Sequence, residues 1–224
     1  MKSQKKELQQ LVRQFLFANP HFSRIYPLLH NSSPAYIVGG VVRDLVMGRL
    51  PRDVDIITAK PVPAVMTSVG AKNSWGGYKI RCGLYSIDIW QMSSHWAVLQ
   101  KFVIPEAEAL QRAALFNVDG AVVGLTPDAD TEVYYELLLE ATKTERISPA
   151  CDEAALWKNP TPYRNVAKAF WLMAKYRWGL APELREYVAS ILVSEKDAPK
   201  KVYEEARRRY RRTDFLGDLI NDMT

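Results

Sequence analysis

The stretch YIVGGVVRDLVMGRLPRDVDIIT, residues 36–58, decides the fold. Its first residues predict a buried strand that ends in a turn at Gly39 and Gly40. The run VVRDLVMGR predicts a helix, which Gly48 would terminate, and residues 52–58 predict a second strand. This order of strand, turn, helix and strand predicts a domain in which helices pack against a sheet.

Two acids lie two positions apart on the second of these strands, Asp53 and Asp55. Because side chains alternate along a strand, both carboxylates project from the same face. Two carboxylates at such short range repel each other in a low-dielectric site, and a divalent cation removes that cost. Mg²⁺ prefers carboxylate oxygens and completes its shell with substrate phosphates. The pair therefore predicts a site for Mg²⁺ (or Mn²⁺) that receives a nucleotide.

The glycine turn and a third acid complete this candidate site. At Gly39 and Gly40 the backbone can approach a ligand closely, and the start of a helix favours anions. A triphosphate held there and bridged by metal to Asp53 and Asp55 suits two-metal phosphoryl transfer. Asp88 lies in the apolar strand YSIDIWQM, where a lone acid is costly unless it is paired or metal-bound. We expect it to act as a general base toward a hydroxyl and as a further metal ligand.

Each of these features also has an ordinary structural explanation. A Gly-Gly pair marks a turn in most chains. An Asp-x-Asp segment can lie on an exposed strand edge or cap a helix. The combination of a strand, a Gly-Gly turn, a helix, an Asp-x-Asp strand and a further acid on a strand is much less expected by chance. The combination favours the nucleotide site.

The run GGVVRDLVMGRLPRDVDI resembles the head-domain signature of class II CCA-adding enzymes and bacterial poly(A) polymerases. Both belong to the polymerase-β-like nucleotidyltransferase superfamily. The positions that match the signature are Gly39, Gly40, Val42, Arg43, Asp44, Gly48, Asp53 and Asp55. The resemblance implies an α+β fold, with a nucleotidyltransferase-type mixed sheet and flanking helices, followed by an all-helical C-terminal part. The head domain would cover residues 1–150 and a helical neck-like domain residues 151–224.

The resemblance also implies roles for single residues. Asp53, Asp55 and Asp88 would bind the metal and act in catalysis. The nucleotide would contact Gly39, Gly40, Arg43 and Asp44. The substrate would be an NTP, with ATP or CTP favoured. The acceptor would be RNA, with a tRNA 3′ end as one candidate.

Two later motifs resemble the family less closely. In QRAALFN, Arg112 and Asn117 match the family's arginine and asparagine, whereas an alanine replaces the intervening aspartate. Both are expected to bind the nucleotide, although Arg112 could equally face solvent on a helix over 105–114. In NPTPYRN, Arg164 matches the arginine of the base-reading motif, but Thr161 stands where an acid is expected. This departure puts CCA addition itself in question.

The net charge of +5 is concentrated in one segment. Residues 196–212 contain eight Lys/Arg and three Asp/Glu, an excess equal to that of the whole chain. Such a block binds phosphate backbones, although a solvated helix face explains it equally well. The candidate RNA-binding residues are Lys200, Lys201, Arg207, Arg208 and Arg211.

Composition narrows the class of protein. The 224 residues contain no apolar run of the length needed to cross a bilayer, and the N-terminus lacks signal-peptide features. We therefore predict a cytoplasmic protein without a membrane partner. Its cysteines, Cys82 and Cys151, are expected to be buried and reduced.

Periodicity predicts the remaining elements. Helices are expected at 4–18, 21–30, 61–70, 105–114, 162–178, 182–193, 198–212 and 214–222. Strands are expected at 72–82 and 84–92, joined near Gly83, and a hairpin around Asp119 and Gly120. Residues 131–148 fit a helix or a strand.

Three hypotheses for function follow. The first is a Mg²⁺-dependent enzyme that moves an NMP from an NTP to an RNA hydroxyl and releases pyrophosphate. The second is a toxin-like nucleotidyltransferase that modifies a protein or tRNA, for which a protein partner is possible. The third is a non-catalytic module of the same fold that binds RNA or a nucleotide.

Overall fold

The computed structural model of the chain describes residues 2–30, 34–62, 70–72, 77–82, 85–129 and 132–223. The α-helices are α1 (Lys2–Phe17), α2 (Pro20–His30), α3 (Gly40–Val46), α4 (Trp96–Leu99), α5 (Glu136–Thr144), α6 (Glu153–Trp157), α7 (Pro162–Tyr176), α8 (Pro182–Val193), α9 (Ala198–Tyr210) and α10 (Gly217–Asn221). The strands are β1 (Ala35–Val38), β2 (Asp53–Thr58), β3 (Ala71–Lys72), β4 (Tyr78–Cys82), β5 (Tyr85–Gln91), β6 (Val122–Gly124), β7 (Val133–Tyr134), β8 (Arg146–Ile147) and β9 (Gly179–Leu180).

Seven of these strands form one mixed sheet in the order β3-β4-β5-β2-β1-β6-β7. Strands β2 and β5 are parallel at its centre, and the other neighbouring strands are antiparallel. Val54, Ile56, Ile87 and Ile89 alternate along the two central strands and are fully buried, together with apolar residues of α1, α2 and α3. The residues between them face the opposite side of the sheet. The predicted α+β fold is confirmed.

The glycine turn lies between β1 and α3. Gly39 has φ +73° and ψ −133°, a conformation that side chains other than glycine rarely adopt. Helix α3 ends at Val46, and Gly48 follows with φ +64°. Glycine thus occupies the left-handed position just beyond the helix, as predicted. Val41 and Val42 anchor α3 in the core under the sheet.

The C-terminal part consists of helices α6 to α10 and the short strand β9, which pairs in parallel with β8. Its apolar core contains Phe170, Leu184 and Tyr187. Phe116 and Ile147, which precede residue 150, belong to the same core. The core joins residues on both sides of the predicted domain boundary, and that boundary stays a prediction.

The predicted hairpin around Asp119 and Gly120 is wrong. Asn117–Asp119 forms a short 3-10 helix with no strand directly before it, and the strand that follows, β6, pairs with β1 and β7. The physical reason is that the Asp119 carboxylate forms ion pairs with Arg43 and Lys168. It therefore does not serve as a turn residue.

The structure corrects one further prediction, decides one that the sequence left open, and does not describe the residues of two others. A 3-10 helix covers Glu108–Ala113, so Pro105 precedes the helical segment instead of opening it. The undecided residues 131–148 contain β7, α5 and β8. The predicted helix at 61–70 and the turn at Gly83 fall largely or wholly outside the described residues.

No helix among the described residues is both long and apolar enough to span a membrane. Cys151 is a free, half-buried thiol, and burial raises its pKa to about 11. The thiol is therefore protonated and unreactive at neutral pH. The side chain of Cys82 lies outside the described residues.

Candidate active site

The three predicted acids lie side by side on the face of the sheet opposite α1 to α3. In the parallel register of β2 and β5, Asp55 and Asp88 are direct partners, and Asp53 is opposite Ser86. Neighbouring strands are about 4.8 Å apart, and Asp53 is two residues from Asp55 on the same strand. The structure therefore brings all three carboxylates together.

Asp55, the middle acid, has the most perturbed carboxyl of the three. Burial raises its pKa to about 7, and the charges of Asp88 and Asp53 add to the rise. The charge of Lys168 on α7 opposes it. Among the described residues, no hydrogen bond or ion pair involves the Asp55 carboxylate. Its carboxyl is thus poised to hold a proton or a cation near neutral pH.

Asp53 and Asp88 each have a basic partner. The Arg52 guanidinium binds Asp53 through Nε and Nη2, both 2.7 Å from Oδ2, and Ser86 Oγ donates to Oδ1 at 3.2 Å. The Lys79 ammonium lies 2.9 Å from Asp88 Oδ2. The side chains of Arg52 and Lys79 are 61% and 47% exposed, so solvent screens both pairs.

The glycine turn lies against this acid cluster. A Cβ atom added at Gly39 would lie 4.0 Å from Asp55 Oδ2 and 4.0 Å from the Asp119 carbonyl oxygen. A Cβ atom added at Gly40 would approach Arg43 Nη2 to 3.1 Å. The turn that is predicted to hold a triphosphate is therefore adjacent to the predicted metal ligands.

The donor chemistry fits a divalent cation, because carboxylates on adjacent strands are ligands that Mg²⁺ prefers. The described residues contain no group of three His, Cys, Asp or Glu side chains already arranged around one ion. Asp53 and Asp88 instead turn an oxygen toward Arg52 and Lys79. Arg52 and Lys79 therefore compete with a cation for the charge of these two carboxylates.

A buried ionic network connects the glycine-turn helix to the C-terminal part. Arg43 donates from Nε to Asp44 Oδ1 at 2.9 Å and to Tyr176 Oη at 2.8 Å, and its Nη1 binds Asp119. Lys175 Nζ and Tyr176 Oη bind Asp44 Oδ1 at 2.8 and 2.5 Å. Arg43, Asp44 and Asp119 are buried, so the network fixes α3 against α7.

The network keeps its two carboxylates charged. Burial alone would raise the pKa of Asp44 and Asp119. Arg43 and Lys175 outweigh burial at Asp44, and Lys168 and Arg43 outweigh it at Asp119. The pKa of each carboxyl is therefore lowered. Lys168 Nζ lies 2.6 Å from Asp119 Oδ2 and also acts on Asp55. It therefore faces the acid cluster from α7.

Sequence reasoning missed the role of Asp119. The available signal was the one that identified Asp88, an acid within an apolar run, here FNVDGAVV. The adjacent glycine suggested a turn instead. Lys168, the partner of Asp119, lies 49 residues further along the chain, and Lys175 and Tyr176, which bind Asp44 of α3, lie more than 120 residues from that helix. Only the packed structure brings these groups together.

The remaining nucleotide-site candidates lie in different environments. Arg112 is exposed on the 3-10 helix. Asn117 is buried, and its amide binds backbone groups of Val118, Arg146 and Ser148.

Arg164 is half-buried at the start of α7, where burial and then the nearby Arg209 charge lower its pKa. Thr161, at the position of the family acid, donates its hydroxyl to Asn159 Oδ1 at 3.0 Å.

The basic residues of the C-terminal segment lie on α9 and just beyond it. Arg207, Arg208, Arg211 and Lys200 are exposed. Arg208 binds Glu205 at 2.7 Å, and the half-buried Lys201 binds Glu195 at 2.7 Å. The exposed positive charge is thus concentrated near the C-terminal end of α9.

The chain resembles a known family and several solved structures. The family model of the Poly A polymerase head domain matches residues 35–75, and no curated protein sequence matches the chain. A CCA-adding enzyme with CTP has a TM-score of 0.66 and 16% identity, over 93% of this chain and 52% of that one. The Thermotoga maritima CCA-adding enzyme with tRNA has a TM-score of 0.64 and 15% identity, over 92% and 51%. The structure of a tRNA-processing enzyme (apo form I) has a TM-score of 0.67 and 14% sequence identity, over 91% of this chain and 57% of that one.

These comparisons confirm the predicted resemblance to CCA-adding enzymes and poly(A) polymerases. The chain shares the fold of the solved structures and spans about half of their length.

Proposed function

We propose that this chain is a metal-dependent nucleotidyltransferase, which transfers an NMP from an NTP to a hydroxyl group of an RNA and releases pyrophosphate. One observation carries the proposal. Asp53, Asp55 and Asp88 stand together on two parallel strands, beside the glycine turn. Three carboxylates so close together are costly without a cation, and this arrangement suits phosphoryl transfer.

Each acid has a role in the proposed reaction. Asp53 and Asp55 hold divalent cations with Asp88, and a bound cation supplies charge stabilisation for the attacking and leaving oxygens. Asp88 accepts the proton of the acceptor hydroxyl, whose oxygen forms the bond to the α-phosphorus. The bond from the α-phosphorus to the bridging oxygen breaks, and pyrophosphate leaves.

The other residues position the substrates. Gly39 and Gly40 bind the triphosphate through the backbone, and Arg112 is free to contact it from the exposed 3-10 helix. Arg164 contacts the nucleotide from the start of α7. Arg43, Asp44 and Asn117 shape the site from behind, because their side chains are already engaged by protein groups.

The acceptor and the nucleotide are part of the same proposal. Similar solved structures are described as complexes with CTP, with ATP and with tRNA. We therefore propose ATP or CTP as the donor and a tRNA 3′ end as the acceptor, in the cytoplasm. The exposed arginines near the end of α9 would contact the RNA backbone.

A transfer assay tests the proposal. The protein is incubated with Mg²⁺, bulk tRNA and each of the four α-labelled NTPs, beside an Asp53→Ala/Asp55→Ala variant. An Asp218→Ala variant, changed at an exposed acid of α10, is the matched control. We expect label in RNA from one preferred NTP with the wild type and the control, and none with the double variant. Equal labelling by the double variant would refute the assignment.

A specific observation supports the non-catalytic module as a second candidate. Arg52 and Lys79 already compensate Asp53 and Asp88. Of the three acids, only Asp55 therefore lacks a basic partner among the described residues. A binding module would bind tRNA with the same affinity in Mg²⁺ and in EDTA, and would label nothing in the assay. Label that enters a protein instead of RNA would favour the toxin-like alternative.

A further inference from the structure

Arg52 connects the acid cluster to the end of α9. Its Nε and Nη2 both lie 2.7 Å from Asp53 Oδ2. Its Nη1 donates to the Arg209 carbonyl oxygen at 3.1 Å, and its guanidinium carbon lies 5.9 Å from the centre of the Tyr210 ring. One side chain thus joins a predicted metal ligand to a helix 157 residues away in the sequence.

The contact on α9 occupies an open position of that helix. The last four carbonyl groups of a helix have no partner within it, and Arg209 belongs to the last turn of α9. The Tyr210 ring stacks on Trp171 of α7, with centroids 4.8 Å apart and planes 7° apart. The end of α9 is therefore held from two sides, by α7 and by Arg52.

A divalent cation at Asp53 competes with Arg52. The guanidinium contacts Oδ2 with two nitrogens, and a cation bound to the same carboxylate would lie close enough for the two positive charges to repel each other. The Arg52 side chain is 61% exposed, so it can move away from Asp53 at modest cost. When Arg52 leaves Asp53, the geometry that directs its Nη1 to α9 is lost as well.

We propose that Arg52 is a positioning residue that couples cation binding at Asp53 to the last turn of α9. Cation binding releases this turn, and docking of the turn on Arg52 weakens cation binding by the same factor, as linkage requires. The turn carries the exposed Arg207 and Arg208 and is followed by Arg211. Its release would let these side chains adapt to an RNA backbone when the metal site is loaded. This inference rests on the proposed role of Asp53 as a metal ligand.

Hydrogen exchange with Mn²⁺ as the probe tests the coupling. The Arg211 amide donates to the Arg207 carbonyl at 3.1 Å and reports on the last turn of α9. In the wild-type chain, we expect saturating Mn²⁺ to speed hydrogen exchange of the Tyr210 and Arg211 amides. In Arg52→Gln, exchange should already be fast without Mn²⁺ and should not respond to it.

Lys79→Gln is the matched control, since it also removes a cation from the acid cluster but has no contact with α9 among the described residues. Calorimetry with Mn²⁺ should show tighter binding by both variants, roughly two- to fivefold, which is the size of an exposed ion pair. The exchange response to Mn²⁺ should persist in Lys79→Gln and vanish in Arg52→Gln.

The outcomes separate this inference from the proposed function. Mn²⁺ that binds the wild type, but not Asp53→Ala, without altering exchange at Tyr210 and Arg211 would overturn the coupling and leave the metal site standing. A persistent exchange response in Arg52→Gln would do the same. Wild-type protein that binds no Mn²⁺ would overturn both the coupling and the proposed metal site. Thermal melting of each variant checks that the fold is retained.

Discussion

At the scale of single residues, Asp55 has the least compensated charge of the acid cluster. Asp53 and Asp88 are paired with Arg52 and Lys79, and the pKa of Asp55 rises to about 7 because of burial and of these two neighbouring acids. Ionised Asp55 therefore opposes folding of the metal-free protein. A ligand that neutralises Asp55 stabilises the folded state.

The substitution Asp55→Asn should stabilise the metal-free protein at alkaline pH. A raised folded-state pKa stabilises the fold fully at pH values below 3.8, the unfolded value, and this contribution is lost as pH rises through about 7. Between pH 5 and pH 8.5 the free energy of unfolding of the wild type should fall by roughly 1–2 kcal/mol more than that of the variant. Urea unfolding in EDTA at both pH values measures this, with Asp218→Asn as control. An equal loss in Asp55→Asn and wild type would contradict the raised pKa.

The substitution Arg43→Met should strongly destabilise the fold. It leaves the buried carboxylates of Asp44 and Asp119 without the guanidinium that contacts both, which costs about 3 kcal/mol or more. Arg212→Met is the matched control, because its pair with Asp214 is more than 60% exposed on both sides. It should cost less than about 1 kcal/mol. Urea unfolding compares the two variants, and equal losses would argue against a structural role for the network.

Local patterns in the sequence are sufficient to predict the acid cluster. Strand alternation places Asp53 and Asp55 on one face, and the apolar neighbours of Asp88 identify it as an unusual acid. The counter-ions Arg52 and Lys79 could not be predicted, since their rotamers depend on the pairing of β4 with β5 and on the position of α9. The role of Asn117 as a backbone anchor depends likewise on contacts with β8 and Ser148.

At the scale of elements, strand β6 has room only for a glycine at position 124. A Cβ atom added at Gly124 would lie 1.7 Å from the Ala129 carbonyl oxygen. The Gly124 amide also donates to the Glu132 carbonyl at 2.8 Å. The backbone of Pro127–Ala129 therefore packs directly on the strand, and any side chain must push the two apart.

The substitution Gly124→Ala should destabilise the protein by roughly 3 kcal/mol, as overpacking against rigid backbone does. Gly179→Ala is the matched control. Gly179 also lies in a short strand, where an added Cβ atom would have no other atom within 4 Å and φ is not positive, so it should change stability by less than about 0.5 kcal/mol. Urea unfolding measures the stability of both variants. If Gly124→Ala is as stable as the wild type, the Pro127–Ala129 segment moves freely away from the added side chain.

Long periodic elements were predictable, and short ones were not. The amphipathic patterns of α1, α7, α8 and α9 extend over enough turns to identify each helix to within about two residues. The two-residue strands β8 and β9 have no periodicity of their own and form because α5 and α7 bring them together. The misread hairpin at Asp119 has the same cause, since its conformation depends on partners from α3 and α7.

At the scale of the whole molecule, the sheet and the helical part meet at a network of charges. Asp44 and Asp119 on one side bind Lys175 and Lys168 of α7 on the other. The pairs join residues between 49 and 131 positions apart, so no local sequence pattern could reveal them. The resemblance to head and neck domains predicted that the two parts exist, whereas their mode of contact comes from the structure.

Two groups of exposed arginines lie on different elements, and RNA binding should depend on one of them. Arg207, Arg208 and Arg211 are exposed near the end of α9, beside the acid cluster through Arg52. A second group consists of Arg146, Arg177 and Arg185, which line a hollow around β8, β9 and the start of α8. Replacing all three arginines of either group with glutamine changes the net charge by the same amount.

We expect the α9 triple variant to bind tRNA more weakly and with a shallower dependence on salt. The slope of log K against log[salt] should fall by about 0.7–0.9 for each phosphate contact that is lost. Arg208 should contribute least, because Glu205 already binds it at 2.7 Å. Filter binding across a salt series measures the slopes, with the other triple variant as the charge-matched control. The two triple variants have the same net charge, so only a local contact of the α9 arginines with RNA can make their slopes differ. An equal reduction of the slope in the control would mean that net charge governs binding and that the α9 face does not.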